Sequence, residues 1–367
     1  MKPEINSLNE NDNEITFILS GVDISIANAI RRTILQDIDT VVFKTSPHSE
    51  NDAVFIKNTS RFNNEQLKQR LSCIPIHIKD FSNIENIELH VNCENTSKDI
   101  QYVTTEHFNI FDKSLQKYIS SNEREQIFPK NSKTGHYIQF VRLRPKISDD
   151  IPGEEIKFTC KFSISNASKD SMFNVACNSS YGFTWDKNKA DEMWLIEEEK
   201  LENEGYEEDK IEFMRTDWYL LDAKRYYIPN SFNFNIESVG VFTPRELIIK
   251  SCEKLKSDFN DFKSTLDDDL ELILKESVVN IDNCYDLKLQ DKDATFGKSL
   301  EYILYSEYFE KGKISFCGYK KLHPHDNFST IRLAFNEQVN DVYIKDMLIY
   351  SCSLLINIFN SIELLFK

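Results

Sequence analysis

The chain has 367 residues, of which 40% are hydrophobic and 28% are charged, a composition typical of a globular protein with two or three domains. Its formal net charge of −16 opposes phosphate backbones, so we expect little or no direct contact with nucleic acid. The eight cysteines are scattered singly, and no apolar run approaches about 18 residues, so we expect no disulfide framework and no membrane contact.

The first predicted elements are a strand and a helix. Residues 14–21 alternate apolar with polar or smaller side chains, as a half-buried strand does, and the apolar positions are Ile15, Phe17 and Leu19. Asp23 is a residue type that caps helices, and apolar residues at helical spacing continue to about residue 35. Arg31 and Arg32 lie side by side on this helix and are its candidate functional residues.

Residues 44–225 are predicted to form a β-rich insert, because several segments alternate in polarity and are separated by Pro-Gly or Asn/Ser clusters. Within it, the segment NEQLKQRLSCIPI predicts one helix that ends before Pro75. The acidic run 196–210 is predicted to be a solvated loop or helix face.

Two long helices are predicted after the insert. Thr243, Pro244 and Glu246 form a capping-box pattern at the start of the first, and the second occupies the C-terminal segment. At about 1.5–3 kcal/mol for each buried apolar side chain, the apolar seams of these helices predict that the two pair with each other. The seams consist of Ile248, Cys252, Leu255, Phe259, Phe262 and Leu266 in the first helix, and of Ile344, Leu348, Ser351, Leu355, Ile358, Ile362 and Leu365 in the second.

The strand and helix of residues 14–35 recur 270 positions later. Tyr285, Leu287 and Leu289 alternate in the second copy, and Asp293 stands where Asp23 stands in the first. A small residue occupies the same place in both helices, Ala27 in one and Gly297 in the other, which predicts a close helix crossing. The chain therefore contains one strand–helix pattern twice.

Five motifs resemble a known family. They are ANAIRRTIL at 27–35, QRLSCIPI at 69–76, FNIESVGVFTPREL at 234–247, KDATFGKSL at 292–300 and FCGYKKLHP at 316–324. In this order they are similar to motifs of the assembly platform of multisubunit RNA polymerases: the bacterial alpha subunit, archaeal subunits D and L, and the eukaryotic third and eleventh subunits. The resemblance covers nearly the whole chain and looks like a fusion of the larger and the smaller partner, as in large cytoplasmic DNA viruses.

The resemblance implies an α+β fold in which two alpha-N-terminal-domain-like dimerisation modules pair as an internal pseudo-heterodimer. The expected divisions are 1–43 plus 226–280 for the larger-partner module, 44–225 for the β-rich insert, and 281–367 for the smaller-partner module. The residues expected between the modules are Ala27, Ile30, Ile34, Phe296, Gly297, Leu300, Leu304, Leu255, Phe259, Leu355 and Ile358.

The resemblance also implies a function: a non-catalytic assembly-platform subunit of a viral DNA-directed RNA polymerase, in the virion and host cytoplasm. The expected partners are the second-largest and largest polymerase subunits and the small zinc-binding subunits, with no homodimer. Contacts to other subunits are expected at Asn28, Arg31, Arg32 and Arg70. For the arginine pair two alternatives stay open, namely solvated surface charges and a phosphate or catalytic role.

Two departures from the family affect these expectations. The zone that holds zinc or an iron–sulfur cluster in some relatives retains only Cys93, and one thiolate cannot complete a tetrahedral site, so we expect no cofactor. The Leu-Arg-Arg pattern of the smaller partner's first helix is replaced by Leu300, Glu301 and Tyr302, which puts contacts on that side in doubt.

Two other functions are considered. His323, His325 and nearby carboxylates could serve a metal-dependent hydrolase, although Pro324 between the histidines and the lack of a spaced third ligand weaken that interpretation. A virion interaction protein that retains the fold is the second. Cys73 and Cys177 are interpreted as small buried hydrophobic residues rather than nucleophiles.

Overall fold

The computed structural model describes residues 1–148, 150–268, 274–276 and 281–367 as a mixed α+β structure, as predicted. The strands are β1 (Glu4–Glu10), β2 (Glu14–Ser20), β3 (Thr40–Val42), β4 (Ala53–Asn58), β5 (Ile87–Glu94), β6 (Gln101–Thr104), β7 (Asn109–Asp112), β8 (Lys117–Tyr118), β9 (Gln139–Leu143), β10 (Glu155–Lys161), β11 (Ser163–Ser165), β12 (Ala176–Trp185), β13 (Tyr227–Ser238), β14 (Leu274–Glu276), β15 (Cys284–Gln290), β16 (Ile314–Lys320) and β17 (Phe328–Phe335). The α-helices are α1 (Ile24–Gln36), α2 (Asn64–Ser72), α3 (Ser121–Ile127), α4 (Lys187–Asn203), α5 (Glu208–Leu220), α6 (Pro244–Asp268), α7 (Ala294–Leu304) and α8 (Asp341–Phe366).

The chain divides into two compact units. The larger unit comprises Met1–Ile34, Asn178–Glu237 and Ile248–Lys367, and the smaller unit comprises Leu35–Cys177 and Ser238–Leu247. The predicted domain boundaries stay predictions, and the division after residue 280 lies outside the described residues.

The larger unit contains two four-stranded sheets with the orders β1-β2-β13-β12 and β14-β15-β17-β16. β2 and β15 are each paired on both sides by antiparallel neighbours, so both are interior strands. The predicted alternation is confirmed, because every second residue of each strand is buried: Ile15, Phe17 and Leu19 in β2, and Tyr285, Leu287 and Leu289 in β15.

The predicted repeat is visible in the element bounds. Adding 270 to the bounds of β2 gives those of β15, and adding 270 to the first residue of α1 gives the first residue of α7. The caps also correspond: the Ser25 amide donates to Asp23 Oδ1 at 2.8 Å, and the Thr295 amide donates to Asp293 Oδ1 at 2.8 Å.

The two long helices are confirmed as α6 and α8. Thr243 and Glu246 form the predicted capping box, with the Thr243 amide 2.8 Å from Glu246 Oε2 and the Glu246 amide 3.2 Å from Thr243 Oγ1. Every predicted seam residue is buried except Leu365, which is exposed, while Phe366 is buried instead. The prediction failed there because a helix of 3.6 residues per turn drifts away from a strict seven-residue repeat.

α8 also corrects the expectation that no segment is apolar enough to cross a membrane. By length and composition alone it qualifies, with an 18-residue window of mean hydropathy 1.6. Much of the helix is buried inside the larger unit, including Ile344, Leu355 and Phe359. Core helices of globular proteins meet the same test, so this property alone is weak evidence of a membrane span.

The smaller unit contains the five-stranded sheet β4-β10-β5-β7-β8 and the strand pairs β3–β11 and β6–β9. Aromatic rings fill its core, including Phe108, Phe140 and Phe158, which pack within 6.3 Å of one another between ring centroids. The predicted helix before Pro75 is confirmed as α2, which Asn63 begins with a capping box.

Residues 187–220 differ from the predicted β-rich insert, because they form a helical hairpin made of α4 and α5. Trp194, Leu201 and Ile211 are buried between the two helices, with Trp218 packed beside them. At the base of the hairpin, the Trp185 indole donates to the Ala223 carbonyl at 3.0 Å. The many acidic residues of this segment masked its short apolar seam.

Candidate subunit interface

The arginine pair on α1 makes two different sets of contacts. Arg31 Nε donates to Asn28 Oδ1 at 2.9 Å, one turn earlier on the same helix. Arg32 instead reaches α7, where its Nε donates to Thr295 Oγ1 at 2.8 Å and its Nη2 lies 2.8 Å from Asp293 Oδ2. Arg32 therefore joins the first strand–helix copy to the helix cap of the second.

Tyr302 occupies the position in the second copy that is equivalent to Arg32, 270 positions later. Burial, followed by the negative charge of Asp23, raises the pKa of its phenol. Arg32 therefore contacts the cap of α7 directly, whereas the cap of α1 affects Tyr302 through its charge.

Glu301 corresponds to Arg31 in the same way. Arg31 bonds to Asn28, and Glu301 forms an ion pair with Lys298 at the equivalent spacing of three residues. Glu301 Oε1 also accepts the Tyr319 amide of the edge strand β16 at 2.9 Å. Glu301, one of the two replacements noted in the sequence, therefore has partners within this chain.

All eleven residues predicted between the modules are buried within the larger unit. The closest aromatic contact joins α6 to α7, where the rings of Phe259 and Phe296 stack with centroids 4.3 Å apart. Phe262 packs edge-on against Phe296 at 5.2 Å, and Phe359 of α8 lies 6.1 Å from Phe259. These rings link α6 to both helices of the second copy.

Polar contacts that the sequence analysis missed also link α6 to α8. Glu363 is almost fully buried in α8 and forms ion pairs with Lys256 of α6 and with Lys367. Burial by itself raises the pKa of Glu363, but the two lysines outweigh it and lower the pKa below its ordinary value. A lone acidic residue in an apolar C-terminal helix was the available sequence signal, because a buried charge needs a partner.

Gly297 has a reason for its small size within its own copy. A Cβ atom at Gly297 would lie 2.1 Å from the ring of Tyr319 on β16, which belongs to the same copy. The small residue therefore makes room for a tyrosine ring on a neighbouring strand of its own copy. A close helix crossing at Ala27 and Gly297 stays a prediction, and both residues are buried.

Arg70 differs from the α1 residues in its location, because it belongs to the smaller unit. Its Nε and Nη2 donate to the carbonyl oxygens of Phe140 and Gln139 at 2.8 and 2.9 Å, so it fastens α2 to β9. The structure thus places Asn28, Arg31 and Arg32 together on α1. A contact of Arg70 with another subunit stays a prediction.

The histidine pair lies in the exposed turn between β16 and β17. The His325 amide donates to His323 Nδ1 at 3.2 Å, and the His323 amide donates to Asp326 Oδ2 at 3.1 Å. Within the described residues there is no group of three or more His, Cys, Asp or Glu side chains placed to hold a metal ion.

Cysteine placement corrects one interpretation and bears on another. Cys73 and Cys177 are exposed, not buried, because Cys73 ends α2 beyond its buried stripe and Cys177 points away from the core on β12. Cys93 is buried in β5, where loss of hydration raises the pKa of its thiol. The absence of a cofactor from this chain stays a prediction.

Comparison with known protein families shows the family to which this chain belongs. Residues 16–259 match the RNA polymerase Rpb3/Rpb11 dimerisation domain, and the chain belongs to that family. The match includes most of β2, all of α1 and most of α6, and it ends before the second copy of the strand and helix.

Three relatives are DNA-directed RNA polymerase subunits. The chain is 28% identical over 200 residues to RNA polymerases I and III subunit rpac1 of Dictyostelium discoideum. This alignment covers 48% of this chain and 51% of the relative, so the chain spans about half the length of that relative. It is 24% identical over 297 residues to RNA polymerase II subunit RPB3 of Schizosaccharomyces pombe, covering 75% of this chain and 91% of the relative. It is also 36% identical over 73 residues to RNA polymerase subunit Rpo3 of Thermococcus kodakarensis, covering 20% of this chain and 26% of the relative.

Proposed function

We propose that this chain is the non-catalytic assembly platform of a DNA-directed RNA polymerase, with both partners of the usual platform dimer fused in one polypeptide. The observation that carries the proposal is the contact between the copies that Arg32 makes with Asp293 and Thr295 at the cap of α7. Membership of a dimerisation-domain family supports the same interpretation.

The role of residues 281–367 as the smaller, eleventh-subunit-like partner rests on three observations. The sheet order β14-β15-β17-β16 repeats that of the first sheet, and each final long strand leads into a long helix, α6 or α8. The GYKKLHP motif spans the end of β16 and the start of the turn that joins β16 to β17. Fusion replaces a bimolecular association by an intramolecular one at an effective concentration of order millimolar.

The proposed partners are the second-largest polymerase subunit at Asn28 and Arg31, and then the largest subunit and the small zinc-binding subunits. Arg31 is half-buried, and its guanidinium presents several donors that suit carboxylate or carbonyl acceptors of a partner. Arg32 contributes by holding α1 against α7. The fused arrangement also supports the proposal of a viral polymerase that acts in the virion and host cytoplasm.

The test is co-expression with the second-largest subunit encoded in the same genome, followed by purification on a tag carried by this chain. We expect Arg31→Glu to abolish co-purification, while Glu301→Ala, at the equivalent position of the second copy, retains it. Retention of the partner by Arg31→Glu contradicts the interface. Light scattering is expected to give a monomer for the chain alone, and a stable symmetric dimer contradicts the internal pairing.

A further inference from the structure

The helical hairpin of residues 187–220 carries much of the negative charge of the chain. It contains twelve acidic and five basic side chains, a net charge of −7 within a total of −16. Because it projects between β12 and β13 and buries only a small core of its own, this charge lies on its surface. The hairpin takes no part in the contacts between the two strand–helix copies described above.

The same surface exposes large apolar side chains. Leu195 and Ile196 of α4, together with Phe213 and Leu220 of α5, are each about half exposed or more. Phe213 and Leu220 are seven residues apart and therefore lie on one face of α5. Leu220 lines a groove between the two helices that also contains carboxylates, so apolar and acidic side chains meet there.

A groove runs along this surface between the two helices. It is lined by Glu198 of α4 and by the following residues of α5: Glu208, Ile211, Glu212, Arg215, Thr216, Tyr219 and Leu220. Three carboxylates against one guanidinium give the groove a negative potential, while Leu220 and the Tyr219 ring provide apolar contact. Tyr219 is held in place because its hydroxyl donates to Asp191 Oδ1 at 2.7 Å.

Charge decides between the possible occupants. Nucleic acid and an anionic membrane surface are repelled by the carboxylates, and a second copy of the chain carries the same net charge of −16. A polypeptide segment that alternates basic and apolar side chains satisfies both features of the groove, as amphipathic helices do in other helical grooves.

We infer that the α4–α5 groove is a docking site for a basic amphipathic segment of a protein partner. Lysine or arginine side chains of the segment pair with Glu198 and Glu212, and its apolar side chains cover Leu220 and Phe213. This site is separate from the proposed polymerase interface on α1, so the two can be tested independently.

The experiment uses the full chain and a fluorescent synthetic peptide of about 18 residues in which Leu recurs at helical spacing among Lys. Binding is followed by fluorescence anisotropy. One comparison peptide replaces every Lys by Glu, and another replaces every Leu by Ser. We expect only the Lys/Leu peptide to bind tightly, and we expect a severalfold loss of its affinity at high salt because the contacts include charge pairs.

Two variants and one matched control locate the site. Glu198→Lys/Glu212→Lys and Leu220→Ser are each expected to weaken binding of the Lys/Leu peptide at least tenfold. Glu106→Lys/Glu337→Lys changes the net charge by the same amount at exposed positions outside the hairpin, and it is expected to retain the affinity. Thermal unfolding checks that each variant is folded, which is expected because the substituted residues are not in the core.

Three results overturn the inference. The first is no binding of the Lys/Leu peptide by the folded chain, and the second is an equal loss in the groove variant and the matched control, which indicates attraction to overall charge. The third is binding of the peptide with Ser in place of Leu as tightly as the Lys/Leu peptide, because apolar side chains would then contribute nothing to docking.

Discussion

The two strand–helix copies in the larger unit have the same backbone plan but differ in surface chemistry. β2 with α1 and β15 with α7 start at positions 270 apart, carry an aspartate cap and bury alternate residues of the strand. On the helices, Arg31 and Arg32 of the first copy correspond to Glu301 and Tyr302 of the second.

This difference separates two kinds of constraint. Equivalent buried positions keep apolar side chains because the core requires them, as Ile30 and Ile34 correspond to Leu300 and Leu304. Equivalent half-buried positions differ: the first copy has the cations Arg31 and Arg32, whereas the second has Glu301, which binds the Tyr319 amide, and Tyr302. The two copies are therefore alike in their buried positions and different at these half-buried ones.

The largest expected effect on stability comes from removing the aromatic ring that links the two copies. Phe259→Ala deletes a fully buried side chain stacked on Phe296 and is expected to destabilise the larger unit by about 3–5 kcal/mol. Urea unfolding followed by tryptophan fluorescence measures the loss. All three tryptophans, Trp185, Trp194 and Trp218, belong to the larger unit, so the signal reports that unit alone.

Phe213→Ala is the matched control, because Phe213 is 66% exposed and the change is expected to cost less than about 0.5 kcal/mol. A loss below about 1 kcal/mol for Phe259→Ala would show that α6 and α7 are not packed as described.

The next largest effect concerns the buried charge between α6 and α8. Lys256→Ala removes one of the two ion-pair partners of Glu363 described above and leaves Lys367. The change is expected to cost about 2–3 kcal/mol, which is less than the cost of leaving a buried charge without any partner. The change is measured by urea unfolding, with Lys200→Ala at the exposed ion pair with Glu197 as the control. Equal losses in the two variants argue against a buried pair.

The same pair gives stability a pH dependence. Because the pKa of Glu363 is lowered in the folded chain, its contribution is fully present above its ordinary value of 4.5 and is lost as the pH falls through the lower folded value. Lys256→Ala raises the folded pKa toward the ordinary value, so the loss of stability below pH 4.5 is expected to be smaller than in the parent chain. Coincident acid profiles contradict this assignment.

The sequence revealed regular, amphipathic features better than isolated ones. Strict alternation predicted β2 and β15, and seams of three and four predicted α6 and α8, because each pattern reflects one buried face. It missed the α4–α5 hairpin, whose core is only Trp194, Leu201 and Ile211 with a few flanking rings, too short a seam to stand out among acidic residues. Arg31 and Arg32 were found as a pair, but the partner Asp293 lies 261 residues beyond Arg32, and only the folded backbone brings them together.

A smaller effect on stability is expected at Gly297, the position equivalent to Ala27 in the first copy. Gly297→Ala places a Cβ against the Tyr319 ring and is expected to destabilise by about 1–3 kcal/mol. In the background of Tyr319→Ala the same change is expected to stabilise by up to about 1 kcal/mol, because alanine favours helix once the ring is gone. Thermal unfolding of the four chains measures both effects, and destabilisation of equal size in both backgrounds rules out the ring as the cause.

The smallest expected effect compares Arg32 with Tyr302. Arg32→Ala removes a partly exposed ion pair and a hydrogen bond to Thr295 and is expected to cost about 0.5–1 kcal/mol, with a smaller loss at high salt. Tyr302→Phe removes only a hydroxyl that makes no hydrogen bond to the described residues. Its cost is therefore expected to stay below about 0.5 kcal/mol. Asp293 also caps α7, so a double-mutant cycle of Arg32→Ala with Asp293→Asn isolates the pair from the cap. A coupling energy near zero means that Arg32 does not hold α1 to α7, and its guanidinium is then available to another subunit just as that of Arg31 is proposed to be.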